Sequence, residues 1–238
     1  MLCDWLISED YDAVGFNEMN NWEKGEFQFE MEKVGYPYSY LFVMESSSFH
    51  LGIASKFPIE VISSTEAQPF HHGMFHVKMN GMHIIITHFC PFESVKREHE
   101  AEYIANYIQD INDPLMVMGD LNTFSPLDKT YYQQEDIFQK IKTRERSALQ
   151  HIRKDAINYK PMEILLEAGL HDVNNAEIID YSMPTQMNGI HENPLYARID
   201  YALVNAAMLA KQVSAKIIRN KEVAKISDHY PVECEIKQ

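Results

Sequence analysis

Five apolar runs of this 238-residue chain end on, or lead from, groups that could bind a cation, move a proton or hold an anion. Val14-Gly15-Phe16 is followed by Asn17-Glu18, and Ile84-Ile85-Ile86-Thr87 by His88. Leu115-Met116-Val117-Met118 empties into Gly119-Asp120-Leu121-Asn122. Asp200 interrupts the run from Ala197 to Val204, and Asp228-His229 stand just before Tyr230-Pro231-Val232-Glu233-Cys234. Carboxylates are the natural ligands of hard cations, imidazoles change charge near neutrality, and carboxamides donate without being charged. Asp120 and Asn122 point to the same side of an extended chain, and Gly119 before them allows a sharp turn or a close approach. Each group alone has an ordinary structural reading. Asp-x-Asn is common turn chemistry, Glu18 could neighbour a helix cap, His88 could be a hydrogen-bonded core histidine, and Asp228 could form a turn. Their recurrence at strand ends is the informative feature, because ligand sites of open α/β sheets gather beyond the carboxyl ends of strands.

The elements that must position these groups follow from hydrophobic periodicity. Leu2 to Glu9 reads as an amphipathic helix with Leu2, Trp5 and Leu6 on one face, and Asp12 to Asn17 as a short strand. Glu26 to Val34 reads as a helix, and Tyr38 to Met44, Leu51 to Ser55 and Ile59 to Glu66 as strands. Met74 to Met79 and His83 to His88 flank Asn80-Gly81, the strongest short hairpin signal. Glu93 to Asn112 carries a helical stripe of Tyr103, Ile104, Tyr107, Ile108 and Ile111. Pro114 ends it before the strand Leu115 to Gly119. Lys129 to Gly169 is largely helical or irregular, with a helix over Pro161 to Ala168. Strands return at Ala197 to Val204, Val213 to Arg219 and Tyr230 to Ile236. Hairpins mixed with β-helix-β units predict an α/β (α+β) fold of two packed mixed β-sheets flanked by helices.

Composition narrows the function classes. Nothing resembles a linker or a repeat, so residues 1–238 are expected to form a single domain. Apolar stretches are too short to cross a bilayer, and the first residues lack a basic signal region, which predicts a cytoplasmic protein. The three cysteines, Cys3, Cys90 and Cys234, show no metal-ligand spacing and read as thiols of a reducing compartment. Acids outnumber bases 35 to 21, a formal charge of −14 that opposes tight non-specific binding to nucleic acid. A carboxylate-lined cleft that recruits a cation would still present positive charge to a phosphate. Lys140, Lys142, Arg144, Arg146, Arg153, Lys154 and Lys160 form a basic cluster that reads as a solvated face or, alternatively, a phosphate clamp. His71, His72 and His76 lack the spacing of a zinc site. Tyr36, Tyr38, Tyr40 and Phe42 alternate as strand residues of core and sheet surface.

Taken in order, Asn17-Glu18, Gly52-Ile53-Ala54-Ser55-Lys56-Phe57-Pro58-Ile59, Ile86-Thr87-His88, Gly119-Asp120-Leu121-Asn122, Arg198-Ile199-Asp200-Tyr201 and Ser227-Asp228-His229-Tyr230-Pro231 resemble the endonuclease/exonuclease/phosphatase superfamily. That group includes deoxyribonucleases, apurinic endonucleases, neutral sphingomyelinases and inositol polyphosphate 5-phosphatases. The resemblance spans Asp12 to Ile236 and implies a four-layered α/β sandwich that hydrolyses phosphate esters with one or two Mg²⁺, or Mn²⁺ in its place. It implies that Glu18 is the principal metal ligand and that Asp228 completes or shares the site. Asp120 would orient and deprotonate water, Asn122 and Asn17 would contact the substrate, and His229 would hydrogen-bond the scissile phosphate with Asp200 holding its ring. His88 would face the phosphate from the other side. Two departures stand out. The family's opening Asn-bearing strand is not seen, so a first strand is expected to be missing, and no obvious polar residue supports His88, with His50 near the expected place. The substrate stays open among nucleic acid, a phospholipid headgroup and a small phosphodiester. The alternative is a catalytically impaired phosphate- or nucleic-acid-binding protein on the same fold.

Overall fold

The structure, a computed structural model, describes every residue except 145, 147–149, 175–179, 190–193 and 238. Strands β1 (Ala13–Phe16), β2 (Tyr38–Phe42) and β3 (Leu51–Ser55) form an antiparallel sheet in the order β1-β3-β2. A second sheet contains β4 (Ile59–Thr65), β5 (Met74–Met79), β6 (Met82–Thr87) and β7 (Leu115–Asp120). After a short hairpin of β8 (Ile152–Arg153) and β9 (Ala156–Ile157), β10 (His171–Asp172) and β11 (Asp200–Val204) complete that sheet. Its order is β10-β11-β7-β6-β5-β4, and β12 (Val213–Ile217) with β13 (Val232–Ile236) makes a separate ribbon. The larger sheet is mixed: β6 and β7 run parallel and its other pairs are antiparallel.

Residue alternation explains why the central strands read as unbroken apolar runs. Both faces of the six-stranded sheet are covered, so both sets of alternating side chains must be apolar. Ile84, Ile86, Phe75, Val77, Ala202 and Val204 meet Leu51 and Ile53 of the smaller sheet. Their neighbours Ile85, Met74, Tyr201 and Leu203 pack the other way, against Ala101 and Ile104 of α-helix Ser94–Tyr107 and Met162 and Leu165 of helix Lys160–Glu167. Helices Leu2–Glu9 and Lys24–Lys33 cover the outside of the small sheet through Trp5, Leu6, Phe27 and Met31. Four layers result: helices, small sheet, large sheet, helices.

Most expected elements are present with shifted ends. Helix Ser94–Tyr107 stops before Ile111, which lies in the turn leading to Pro114. The two-residue strands β8, β9 and β10 were not expected, because such short ladders leave no periodic signal. Ala197 lies ahead of β11 and pairs with Met183 in an isolated bridge. Tyr36 is buried whereas Tyr38 and Tyr40 lie on the surface of β2, and all three cysteines are free thiols. No described helix is long and apolar enough to cross a membrane.

Buried imidazoles make stability pH-dependent. Burial, aided by a neighbouring imidazole, pushes both His72 and His76 down to about 4. A depressed folded-state pKa gives stability that is present above the unfolded value of 6.5 and lost as pH falls through 4. Acidification from pH 7.5 to 4 should therefore cost about 3 kcal/mol through His76 alone. Urea unfolding of the wild type and His76→Gln at both pH values measures this, and an equal loss in the two proteins would refute it.

Candidate active site

The antiparallel pairing of β7 and β11 sets Asp200 directly opposite Asp120. Two carboxylates 80 positions apart in sequence are thereby forced together at one sheet end, a placement that like charges oppose unless something compensates. His229 supplies that charge. Its Nδ1 lies 2.8 Å from Asp200 Oδ2 and 3.8 Å from Asp120 Oδ2. Burial alone would lower the imidazolium, but the charge and hydrogen bond of Asp200, with Asp120 and Asp228 beyond, outweigh it and hold His229 up at about 10. Asp120 moves up from the ordinary carboxylate range, first by burial and then by repulsion from Asp200, with His229 acting in the opposite direction.

Backbone geometry fixes the remaining groups. Asn122 has a left-handed φ of 46°, its N–H donates to Asp120 Oδ1 at 2.8 Å, and its Nδ2 donates to the Phe89 carbonyl at 3.1 Å. Phe89 N–H donates in turn to the Asp120 carbonyl, tying the segment after His88 to the end of β7. Asn17 Nδ2 donates to the Thr87 carbonyl at 2.9 Å, so at least one of its two amide protons is used to join the end of β1 to the end of β6. Glu18, with a φ of 56°, leaves β1 in a tight turn. Its carboxylate lies 3.8 Å from His88 Nε2, which also stands 3.6 Å from Asp120 Oδ2. These separations exceed a hydrogen bond and bring His88 and the two acids to a common space.

Glu18, Asp120, Asp200 and Asp228 thus face one imidazolium. Glu18 is also raised, by burial first and then by the Asp228 charge. Donor atoms of Asp120, Asp200 and His229 lie within 4.8 Å of one another, the one group of this kind among the described residues. A protonated His229 cannot be a metal ligand, so the available donors are carboxylate oxygens. An excess of carboxylate oxygens in one cleft fits a hard divalent cation.

Two positioning groups carry no recognisable sequence signal. Ser182, fully buried, accepts at Oγ from the N–H of Ile199 at 3.0 Å and of Asp200 at 3.3 Å. Its carbonyl accepts from Tyr230 N–H at 2.7 Å, so one residue anchors both halves of the Asp200–His229 pair. His72 stacks on His88 with ring centroids 4.3 Å apart. His50, near the place where such support is expected, is buried and accepts the Met44 N–H at Nδ1, 3.2 Å away. His88 is therefore held by a ring face, and its buried Nδ1 has no hydrogen-bond partner.

Comparison with protein families matches residues 1–229 to the Endonuclease/Exonuclease/phosphatase family. The chain belongs to this family. The family comprises metal-dependent phosphoester hydrolases, and the carboxylate cluster is the part of this chain suited to such chemistry. Comparison with curated proteins by sequence gives no match. Among solved structures, a 3′-5′ exonuclease from Neisseria meningitidis is similar with a TM-score of 0.75 at 17% identity, covering 100% of this chain and 94% of that one. An AP endonuclease from Archaeoglobus fulgidus gives 0.71 at 19% identity, with coverage of 99% and 93%. A 3′ phosphatase from Neisseria bound to a product DNA hairpin gives 0.69 at 17% identity, covering 100% and 93%. These likenesses establish the endonuclease/exonuclease/phosphatase fold for the chain.

Proposed function

We propose that the protein is a Mg²⁺-dependent phosphodiesterase of the nuclease type. One observation carries the reading: the β7–β11 register places Asp120 opposite Asp200 while Asp200 grips His229 Nδ1 at 2.8 Å. That arrangement keeps a cation with a free Nε2–H beside a buried carboxylate of raised basicity, which suits hydrolysis of an anionic ester. Glu18 and Asp228 would hold the metal, which supplies positive charge to the phosphoryl oxygens and lowers the pKa of water. Asp120 orients the attacking water and accepts its proton, a task that its elevated pKa favours. His229 donates from Nε2 to a phosphoryl oxygen, and Asp200 fixes its ring and its charge. Asn122 offers its second amide proton to the same phosphate, with Asn17 beside it. His88 bounds the far side; burial holds it well below the ordinary histidine range and therefore uncharged. A nucleic-acid substrate is supported by the similar structures, which are a nuclease, an AP endonuclease and a DNA-bound 3′ phosphatase.

Hydrolysis of bis-p-nitrophenyl phosphate tests the reading. Activity should require Mg²⁺ or Mn²⁺ and vanish with a chelator. Glu18→Gln should raise the metal concentration for half-maximal rate by roughly 10–100-fold or more, the range found when groups supporting a metal ion are removed. Metal-independent turnover, or an unchanged metal requirement in the variant, would refute it.

A further inference from the structure

Next to the catalytic carboxylates, and outside them, lies a cleft of about 390 Å³ between the Ser46–Phe49 loop and the Gln68–His72 loop. Its inner wall is His72, whose opposite contact is His88. From there a continuous row of rings leads outward. His71 packs on His72 at 4.3 Å, and Phe92 packs on His71 at 5.3 Å. Arg146 sits over Phe92, its guanidinium 5.7 Å from the ring centroid, with both side chains exposed. Phe49 packs on the His72 ring at 4.7 Å, so the two rings belong to one continuous aromatic face of the cleft.

The cleft is built in advance of any ligand. Glu66 caps the first loop by accepting from the N–H groups of Glu45 and Ser46 and from the Ser46 hydroxyl. Ser47 Oγ contacts His72 Nδ1 at 3.0 Å and accepts from Phe49 N–H, joining the two loops. Glu100 holds the second loop to the His88 segment, accepting from His71 N–H at 2.9 Å and Cys90 N–H at 2.8 Å. At the mouth, Ser48 and Gln68 are exposed and able to donate and accept. The aromatic wall is uncharged, since burial pushes both His71 and His72 below the ordinary histidine range, and the carboxylate that also lines the cleft, Glu66, is engaged by the Glu45 and Ser46 N–H groups and the Ser46 hydroxyl. Such a lining suits a flat, polar-edged, neutral group and offers no counter-charge to a phosphate.

We propose that this cleft is a base-binding subsite, taking the unpaired nucleobase next to the scissile phosphate of a nucleic-acid strand, with Arg146 at its rim meeting the following phosphate. The inference rests on the phosphodiesterase reading for its substrate class. Stacking on aromatic faces suits any base, and a guanidinium tracking the backbone is the usual companion of such a platform. It also gives the basic segment a specific role. Lys140, Arg153 and Lys160 are paired with Glu135, Glu98 and Glu167, whereas Arg146 is carried on the aromatic row that begins at the catalytic centre.

Two esters with the same leaving group test the subsite: thymidine 5′-(4-nitrophenyl phosphate) and methyl 4-nitrophenyl phosphate. Wild type should prefer the thymidine ester in kcat/KM, and Phe49→Ala should reduce that preference roughly fivefold or more, through KM. Gln68→Ala, an exposed substitution remote from the core, should lower the preference in the same direction. Binding of a fluorescein-labelled tetrathymidylate in Ca²⁺, read by anisotropy, needs no turnover. There Phe49→Ala should weaken affinity by a similar factor, and Arg146→Ala should lower the salt slope by about 1. If neither ester is hydrolysed, the phosphodiesterase reading fails, while loss of oligonucleotide binding in Phe49→Ala still supports the subsite. An unchanged substrate preference together with unchanged binding in Phe49→Ala and Gln68→Ala overturns it.

Discussion

His229→Ala and Asp200→Asn should each lower kcat on bis-p-nitrophenyl phosphate by roughly 10³-fold or more, within the range for losing a charged donor or its orienting partner. The two substitutions remove one unit from different ends. Burial opposes the charge on His229, and the Asp200 carboxylate, 2.8 Å away, is the main influence that reverses this. Replacing Asp200 by a neutral amide lets burial prevail, so the ring loses its proton at a lower pH. In the wild type, His229 stays protonated until pH rises through about 10, and its titration leaves activity at neutral pH untouched. In Asp200→Asn, a descending limb should enter the profile at lower pH, with rate falling as pH rises. Because the residues act as a pair, the double variant should be scarcely worse than either single one. Multiplicative losses, near 10⁶-fold, would mean that Asp200 and His229 work independently.

How much of this could be read beforehand depends on whether a residue's role is local. β3 and β5 match their expected bounds because their apolar runs are flanked by turn chemistry, Phe57-Pro58 after one and Asn80-Gly81 after the other. The strand-end polar groups were legible for the same reason: Glu18, His88, Asp120 and Asp200 each break a hydrophobic pattern. Their convergence was not, since it depends on the β7–β11 register and the parallel β6–β7 pairing, which span long stretches of chain. Ser182 and His72 were missed because they act through backbone hydrogen bonds and a ring face. A serine between Tyr181 and Met183, or a histidine beside another histidine, looks like many others. No polar support for His88 was legible because its support is a stacked ring, His72 from the β4–β5 connection.

Gly119→Ala should be the most damaging single-methyl change in the chain, destabilising it by more than about 4 kcal/mol, in the exceptional tail of point substitutions. Gly119 has a φ of 137°, and a Cβ there would lie 2.0 Å from the Thr87 carbonyl oxygen and 3.2 Å from Asn17 Nδ2. That oxygen belongs to the backbone of β6 and already accepts from Asn17, so relief requires moving the strand itself. Moving β6 away from β7 would carry His88 away from Asp120 and part Asn17 from Thr87, so lost activity should accompany lost stability. Gly81 provides the control. It too has a positive φ, 73°, but nothing lies within 4 Å of its would-be Cβ. Gly81→Ala should then cost only about 1–2 kcal/mol, the penalty for a left-handed backbone carrying a side chain, and leave kcat intact. Urea unfolding of both variants separates the two effects. Equal destabilisation would show that conformation alone matters at Gly119, and that the close approach of β6 to the catalytic turn is not what reserves the position for glycine.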